Sequence, residues 1–298
     1  MGVHPGLQGC EWTVFHGSIN EALPLLEDAQ AGGGPEGPRL TWLTAVTLGA
    51  CGRYGEALAL LDSFDTGATE YSMAMSLKAS LLRQLGCHDL ARQADSKAMS
   101  KASTAGSAME AMTGLAADAV GLNVPDEAVA SIERAGELLE QMLNTGGTEA
   151  AWWRHHIRVE WVRCEIALMQ SRFDEAAAHA GRALELAETA NAPRHVAKSL
   201  LFLAVAQIEQ GRQQEAQAQL NRAIVLSASM GYLAGAWPAH AVLAELIRDT
   251  DPERSRQHFA EAARITSLIG EGLSEPLAQR WRSRPDIARL SAAAAGQS

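Results

Sequence analysis

Along this chain, apolar stretches are broken at intervals by one short phrase: a small or turn-forming residue, a variable position, an often bulky one, then an acid and an alanine. It first reads Gly17-Ser18-Ile19-Asn20-Glu21-Ala22 and returns at 52–57, 86–91, 123–128, 171–176 and 211–216, with a degenerate seventh copy at 251–256. Its closing residues are Ala22, Ala57, Ala91, Ala128, Ala176, Ala216 and Arg256, spaced 35, 34, 37, 48, 40 and 40 residues apart. The phrase reads as the corner of a helical hairpin. Glycine or asparagine ends one helix in the left-handed conformation, an acid sits in the first turn of the next where the helix dipole favours it, and the alanine lies where two helices nearly touch.

Two further registers follow from that corner. Twelve residues before each closing residue stand Cys10, Ala45, Ala79, Ala116, Cys164, Ala204 and Ala244, all small. Seven residues after it stand Ala29, Phe64, Ala98, Ala135, Ala183, Ala223 and Ala263. The pattern predicts seven hairpins at 8–15/19–30, 39–50/54–64, 69–85/88–104, 107–122/126–143, 150–170/174–190, 194–210/213–230 and 235–248/252–269, with a capping helix over 276–295 to cover the last apolar face. Gly- and Pro-rich stretches at 31–38 and 144–148 read as loops, and the tail 292–298 is expected to fray. The array is read as one domain over 1–298, with a candidate joint between subarrays near 144–150.

Composition agrees. Hydrophobic residues make up 47% of the chain and aromatics only 5%. Alanine dominates and dense β-branched runs are missing, which favours close-packed helices over sheets.

This repeat resembles the tetratricopeptide repeat, over roughly residues 5–270. The family's tryptophan near the start of its first helix and its terminal proline are not in phase here, and the later, 40-residue copies are similar to the longer repeats in sensor domains of bacterial transcriptional regulators. The resemblance implies an all-α, right-handed superhelical solenoid that works as a non-enzymatic adaptor, scaffold or regulator. First helices of such folds line a concave groove that takes a protein or peptide. Projected onto this chain, that groove receives Arg154, Arg158, Trp161 and Glu165 from the fifth hairpin. The sixth supplies Arg194, Lys198 and Leu201, and the second Arg39 and Trp42. Arginine and tryptophan are the residues of interface hot spots, so the expected partner is an acidic or amphipathic segment. The alternative is a regulatory or sensor protein of transcription, working through a protein partner or a small ligand in the groove. The Lys and Asn pattern with which some family members clamp a carboxylate is not reproduced at Trp161, Val162 and Glu165.

Charge narrows the partners. The net charge is −10, and the acid lies almost wholly in the first half: residues 1–150 carry 8 Lys+Arg against 19 Asp+Glu, the remainder 17 against 16. That argues against direct contact with nucleic acid or an anionic membrane. Four cysteines without a CxxC pair make a disulfide framework or zinc ribbon unexpected. The N-terminus lacks the pattern of a secretory signal and no apolar run is long enough to span a membrane, so the expectation is a cytoplasmic protein. No phosphate loop, nucleophile elbow or HExxH motif is present, so neither cofactor nor metal is expected, and self-association is left open. Two chemical candidates stand out within the repeats. His156 and Glu160 fall at i, i+4 beside Trp152 and Trp153, but two ligands make a poor zinc site. Cys164 falls on the small register, where it reads as a core residue.

Overall fold

The computed structural model describes residues 5–31 and 37–294. They form sixteen α-helices and, among the described residues, no strand. The first seven pairs are hairpins: α1 (Pro5–His16) with α2 (Ile19–Ala31), α3 (Gly37–Ala50) with α4 (Tyr54–Asp62), α5 (Tyr71–Gln84) with α6 (His88–Ser100), and α7 (Ala105–Gly121) with α8 (Pro125–Asn144). They continue as α9 (Glu149–Met169) with α10 (Phe173–Thr189), α11 (Pro193–Glu209) with α12 (Gln213–Met230), and α13 (Leu233–Leu246) with α14 (Pro252–Glu271). Each helix packs on the next, giving a tetratricopeptide-like solenoid. The centre of the 31–38 loop and the tail 295–298 lie outside the described residues.

The corners form as their chemistry dictates. Gly52, Gly86, Asn123, Ser171 and Gly211 all have positive φ, between 56° and 81°. Ala22, Ala57, Ala91, Ala128, Ala176 and Ala216 are completely or almost completely buried. The seventh copy departs from expectation. Arg256 is exposed, and Ser255, one residue earlier, takes the buried corner position and donates its hydroxyl to the Ala244 carbonyl at 2.8 Å. Ala262 rather than Ala263 is then the fully buried residue seven positions on. The slip is visible in the helix itself: Ala216 is the fourth residue of α12 and Ser255 the fourth of α14, which starts at Pro252.

The cap also differs. A single helix over 276–295 is replaced by α15 (Glu275–Ser283) and α16 (Pro285–Ala294). The proline ring of Pro285 disfavours helical backbone at the preceding residue, and Arg284 is extended, with ψ 132°. The break lets Trp281 turn into the core, 1% exposed, where its indole donates to the Thr266 carbonyl.

An open array would bury each hairpin against its neighbours alone. This one closes. A single apolar core joins Leu26, Leu43, Tyr54 and Leu85 of the first three hairpins to Phe259, Ile265 and Ile269 of α14 and to Trp281 of the cap. Helix α1 meets α11, and α3 meets α13. Arg194 of α11 donates to the Val14 carbonyl, and Arg280 of α15 pairs with Asp89 of α6 at 2.8 Å. Glycine makes the closest approach feasible: a Cβ on Gly55 would lie 1.6 Å from the Gly272 carbonyl oxygen. The seven hairpins thus form a ring with an interior.

Candidate functional site

The interior is a cavity of about 490 Å³. The first helix of every hairpin reaches it: Phe15 from α1, Trp42 from α3, Met73 from α5, Glu110 from α7, Arg158 from α9, Lys198 from α11 and Trp237 from α13. Helical spacing explains the convergence. Arg154, Arg158, Trp161 and Glu165 follow one another at i, i+4, i+7 and i+11, so they share one face of α9. Arg194, Lys198 and Leu201 repeat that spacing on α11.

All seven of these side chains and Trp42 line the cavity. Arg39 does not. It lies in an adjoining cavity of about 480 Å³ with Trp12, Thr104 and His155, paired with Glu11, while its guanidinium sits 4.5 Å over Trp42. Phe15, Trp42, Glu110 and Arg154 border both cavities.

The groups are not free surface side chains. Trp161 is 6% exposed, and its indole donates to the Ser199 hydroxyl at 2.9 Å. Its ring stacks on His195 at 5.5 Å and carries the Lys198 ammonium 4.4 Å above its face. Arg154 and Arg158 flank Glu110 at 2.5 and 2.9 Å. Burial alone would raise the Glu110 pKa, but the two guanidiniums overcome it and hold the carboxylate down at about 2. Burial lowers the neighbouring His155 imidazole to about 4, against the pull of Glu110 at 3.7 Å. Burial likewise lowers Lys198 to about 8, opposed by Glu165, whose own pKa is raised by burial. Arg83 closes another wall, bound to Asp95 at 2.6 Å, Asp118 at 2.7 Å and the Gly114 carbonyl at 3.0 Å.

Sequence reasoning missed Glu110, Arg83 and His195. The register could have found the first. Arg39, Arg158 and Lys198 each stand six residues before a small register position, and so does Glu110, before Ala116. His195 carries no such mark, because an imidazole next to Arg194 looks like any helix residue until the ring is built.

The chemical candidates resolve structurally. His156 turns to Glu149 at 2.8 Å, and Glu160 is held by Arg163, His179 and Arg182, so the i, i+4 pair does not form. Among the described residues no group of three His, Cys, Asp or Glu is placed to hold a metal ion. Cys164 is fully buried and its thiol is pushed up to about 12 by burial, as befits a core residue and not a nucleophile. No described helix is long and apolar enough to cross a membrane.

Residues 158–226 match the family model of the tetratricopeptide repeat. No curated protein matches the sequence. Among solved structures, a Rap protein complexed with competence and sporulation factor is similar at TM-score 0.59 and 12% identity, covering 98% of this chain and 98% of that one. Cut9, from the APC/C hetero-tetramer Cut9–Hcn1, is similar at TM-score 0.58 and 16% identity over 97% of this chain. A signal-transduction ATPase with a tetratricopeptide repeat sensor, from Pyrococcus horikoshii, is similar at 0.51 and 14% over 98% of it. The chain spans only 49% and 40% of the length of those last two. At such identities the likeness is one of fold. The chain thus carries tetratricopeptide-repeat sequence over residues 158–226 and shares the solenoid fold of these structures over nearly its whole length.

Proposed function

We propose that the protein is a non-enzymatic regulatory binding module, acting as one unit, that takes a short guest into its ring. The guest is a chain end of a peptide or a compact ligand, and the outer surface is left to protein partners. The observation that carries this reading is the convergence of all seven first helices on one cavity lined by arginine, lysine and tryptophan. A volume of about 490 Å³ falls within the ~300–1,000 Å³ of ligand pockets and cannot admit a folded domain. The fold shared with a Rap protein solved with competence and sporulation factor is consistent with a regulatory role.

The test is affinity capture from the native cytoplasm, with retained peptides and small molecules identified by mass spectrometry. Wild-type protein is compared with Leu201→Trp, which fills the cavity, and with the double variant Arg158→Glu/Lys198→Glu. A guest retained by wild type and lost from both variants supports the reading. Identical guests on all three, or none on any, would refute it.

A further inference from the structure

Buried polar groups in folded proteins are nearly always paired. Around this cavity several are not. The indole Nε1 of Trp42 and the Nε of Arg194 are buried without an acceptor, and Arg194 as a whole is 9% exposed. The Nε of Arg158 lies 2.9 Å from Glu110 yet is not aimed along a hydrogen bond. All three are obligate donors. Lys198 adds an ammonium whose close neighbours are the faces of Trp161 and Phe202, at 4.4 and 5.6 Å, with no carboxylate within 4 Å among the described residues.

Charge points the same way. Six cationic side chains line the cavity, Arg83, Arg154, Arg158, Arg194, Lys198 and Arg284, against two carboxylates, Glu110 and Glu165. Arg83 is committed to Asp95 and Asp118, and Arg284 to Asp286. Arg154 and Arg158 share the single charge of Glu110. Positive charge and two of the three unpaired donors, those of Arg158 and Arg194, are therefore concentrated between α9 and α11, whereas Phe15, Trp42, Trp237 and Leu201 supply a largely apolar wall. Desolvated charge of one sign is costly unless something of the other sign answers it.

Resting on the reading of the cavity as a guest site, we propose that its guest is an amphipathic organic anion: an apolar body against the aromatic wall, and a carboxylate or phosphate head received by Lys198, Arg158 and Arg194. The head completes the unpaired Arg158 and Arg194 donors through charge-assisted hydrogen bonds, and the guanidinium forks orient it. The anion belongs inside the ring because the acid-rich first half of the sequence contributes only Glu110 to this surface, and the second half adds only Glu165.

Two dyes of similar aromatic body test this: 8-anilinonaphthalene-1-sulfonate and its uncharged analogue N-phenyl-1-naphthylamine. The expected result is that the sulfonate binds the wild-type protein more tightly, and that Lys198→Met weakens it about tenfold, the size of one charge-assisted hydrogen bond, while hardly changing the neutral dye. Lys198→Arg should restore the sulfonate, and Leu201→Trp should exclude both dyes. Displacement by octanoate and by octyl phosphate then separates a carboxylate head from a phosphate one. Equal binding of the two dyes to wild type, a comparison that needs no variant, would overturn the anion site but leave the cavity as a guest site. Binding of neither dye, or binding untouched by Leu201→Trp, would overturn both.

Discussion

Glu110 carries a role at the level of a single side chain that its position in the sequence hides. It is 7% exposed and answers both Arg154 and Arg158 across the gap between α7 and α9. Removing one partner of a buried ion pair leaves the others uncompensated, which typically costs about 3–5 kcal/mol. Glu110→Gln should lose stability of that order in urea denaturation at neutral pH. The pH profile sharpens the expectation. A carboxylate held at about 2 in the fold contributes stability that is present above its unfolded pKa and lost as pH falls through about 2. His155, kept neutral down to about 4, likewise costs stability as pH falls below its ordinary value, because the unfolded chain takes up the proton first. The contributions of Glu110 and His155 should therefore fall between about pH 6.5 and 2, against the opposite trend of carboxyls that burial raises, such as Glu165. In Glu110→Gln the fall below about pH 4.5 should be shallower, and an unchanged profile would remove Glu110 from this role. Arg154, Arg158 and Trp161 of α9, with Arg194 and Lys198 of α11, were legible as two helical faces because helical spacing repeats locally. Their acidic partner was not, since it lies 44 residues from Arg154 and nothing local reports the pairing.

At the level of helices, the small-residue registers carry most of the information. Ala216 is fully buried where α11 and α12 cross, and Leu there would overpack the corner by roughly 1–3 kcal/mol. Thermal unfolding of Ala216→Leu should show the loss, and an unchanged midpoint would count against the corner. The same registers explain where the reading slipped. Ser255 substitutes for alanine in the seventh copy because serine is small and its hydroxyl finds the Ala244 carbonyl, and the sequence offers Arg256 beside it as a decoy that keeps the 40-residue spacing from Ala216. Phe64 breaks the second register for a related reason: α4 ends at Asp62, so this residue lies beyond the helix and buries its ring from the loop. The split cap follows from one proline, a signal present in the sequence but overridden by the apolar pattern around it.

For the molecule as a whole, the decisive fact is the seam between first and last hairpins. It was not legible, because repeat periodicity fixes how each hairpin meets the next and says little about how far the superhelix turns. The seam depends on Gly55, where even one methyl group would meet the Gly272 backbone. Gly55→Ala should force the seam apart, raise the radius of gyration in small-angle X-ray scattering and lower the thermal midpoint. Unaltered scattering with wild-type stability would mean that the ring absorbs the methyl elsewhere.

Closure has a consequence for how the fold comes apart. An open array of repeats is a one-dimensional chain whose outer units can peel away while the middle persists. Here the outer units are each other's neighbours. Detaching α1 exposes α11, and detaching the cap exposes the floor beneath α4 and α6, so neither end can fray at its own small cost. Opening the seam would expose the core that the first three hairpins share with α13, α14 and the cap, so those outer units are expected to be lost together.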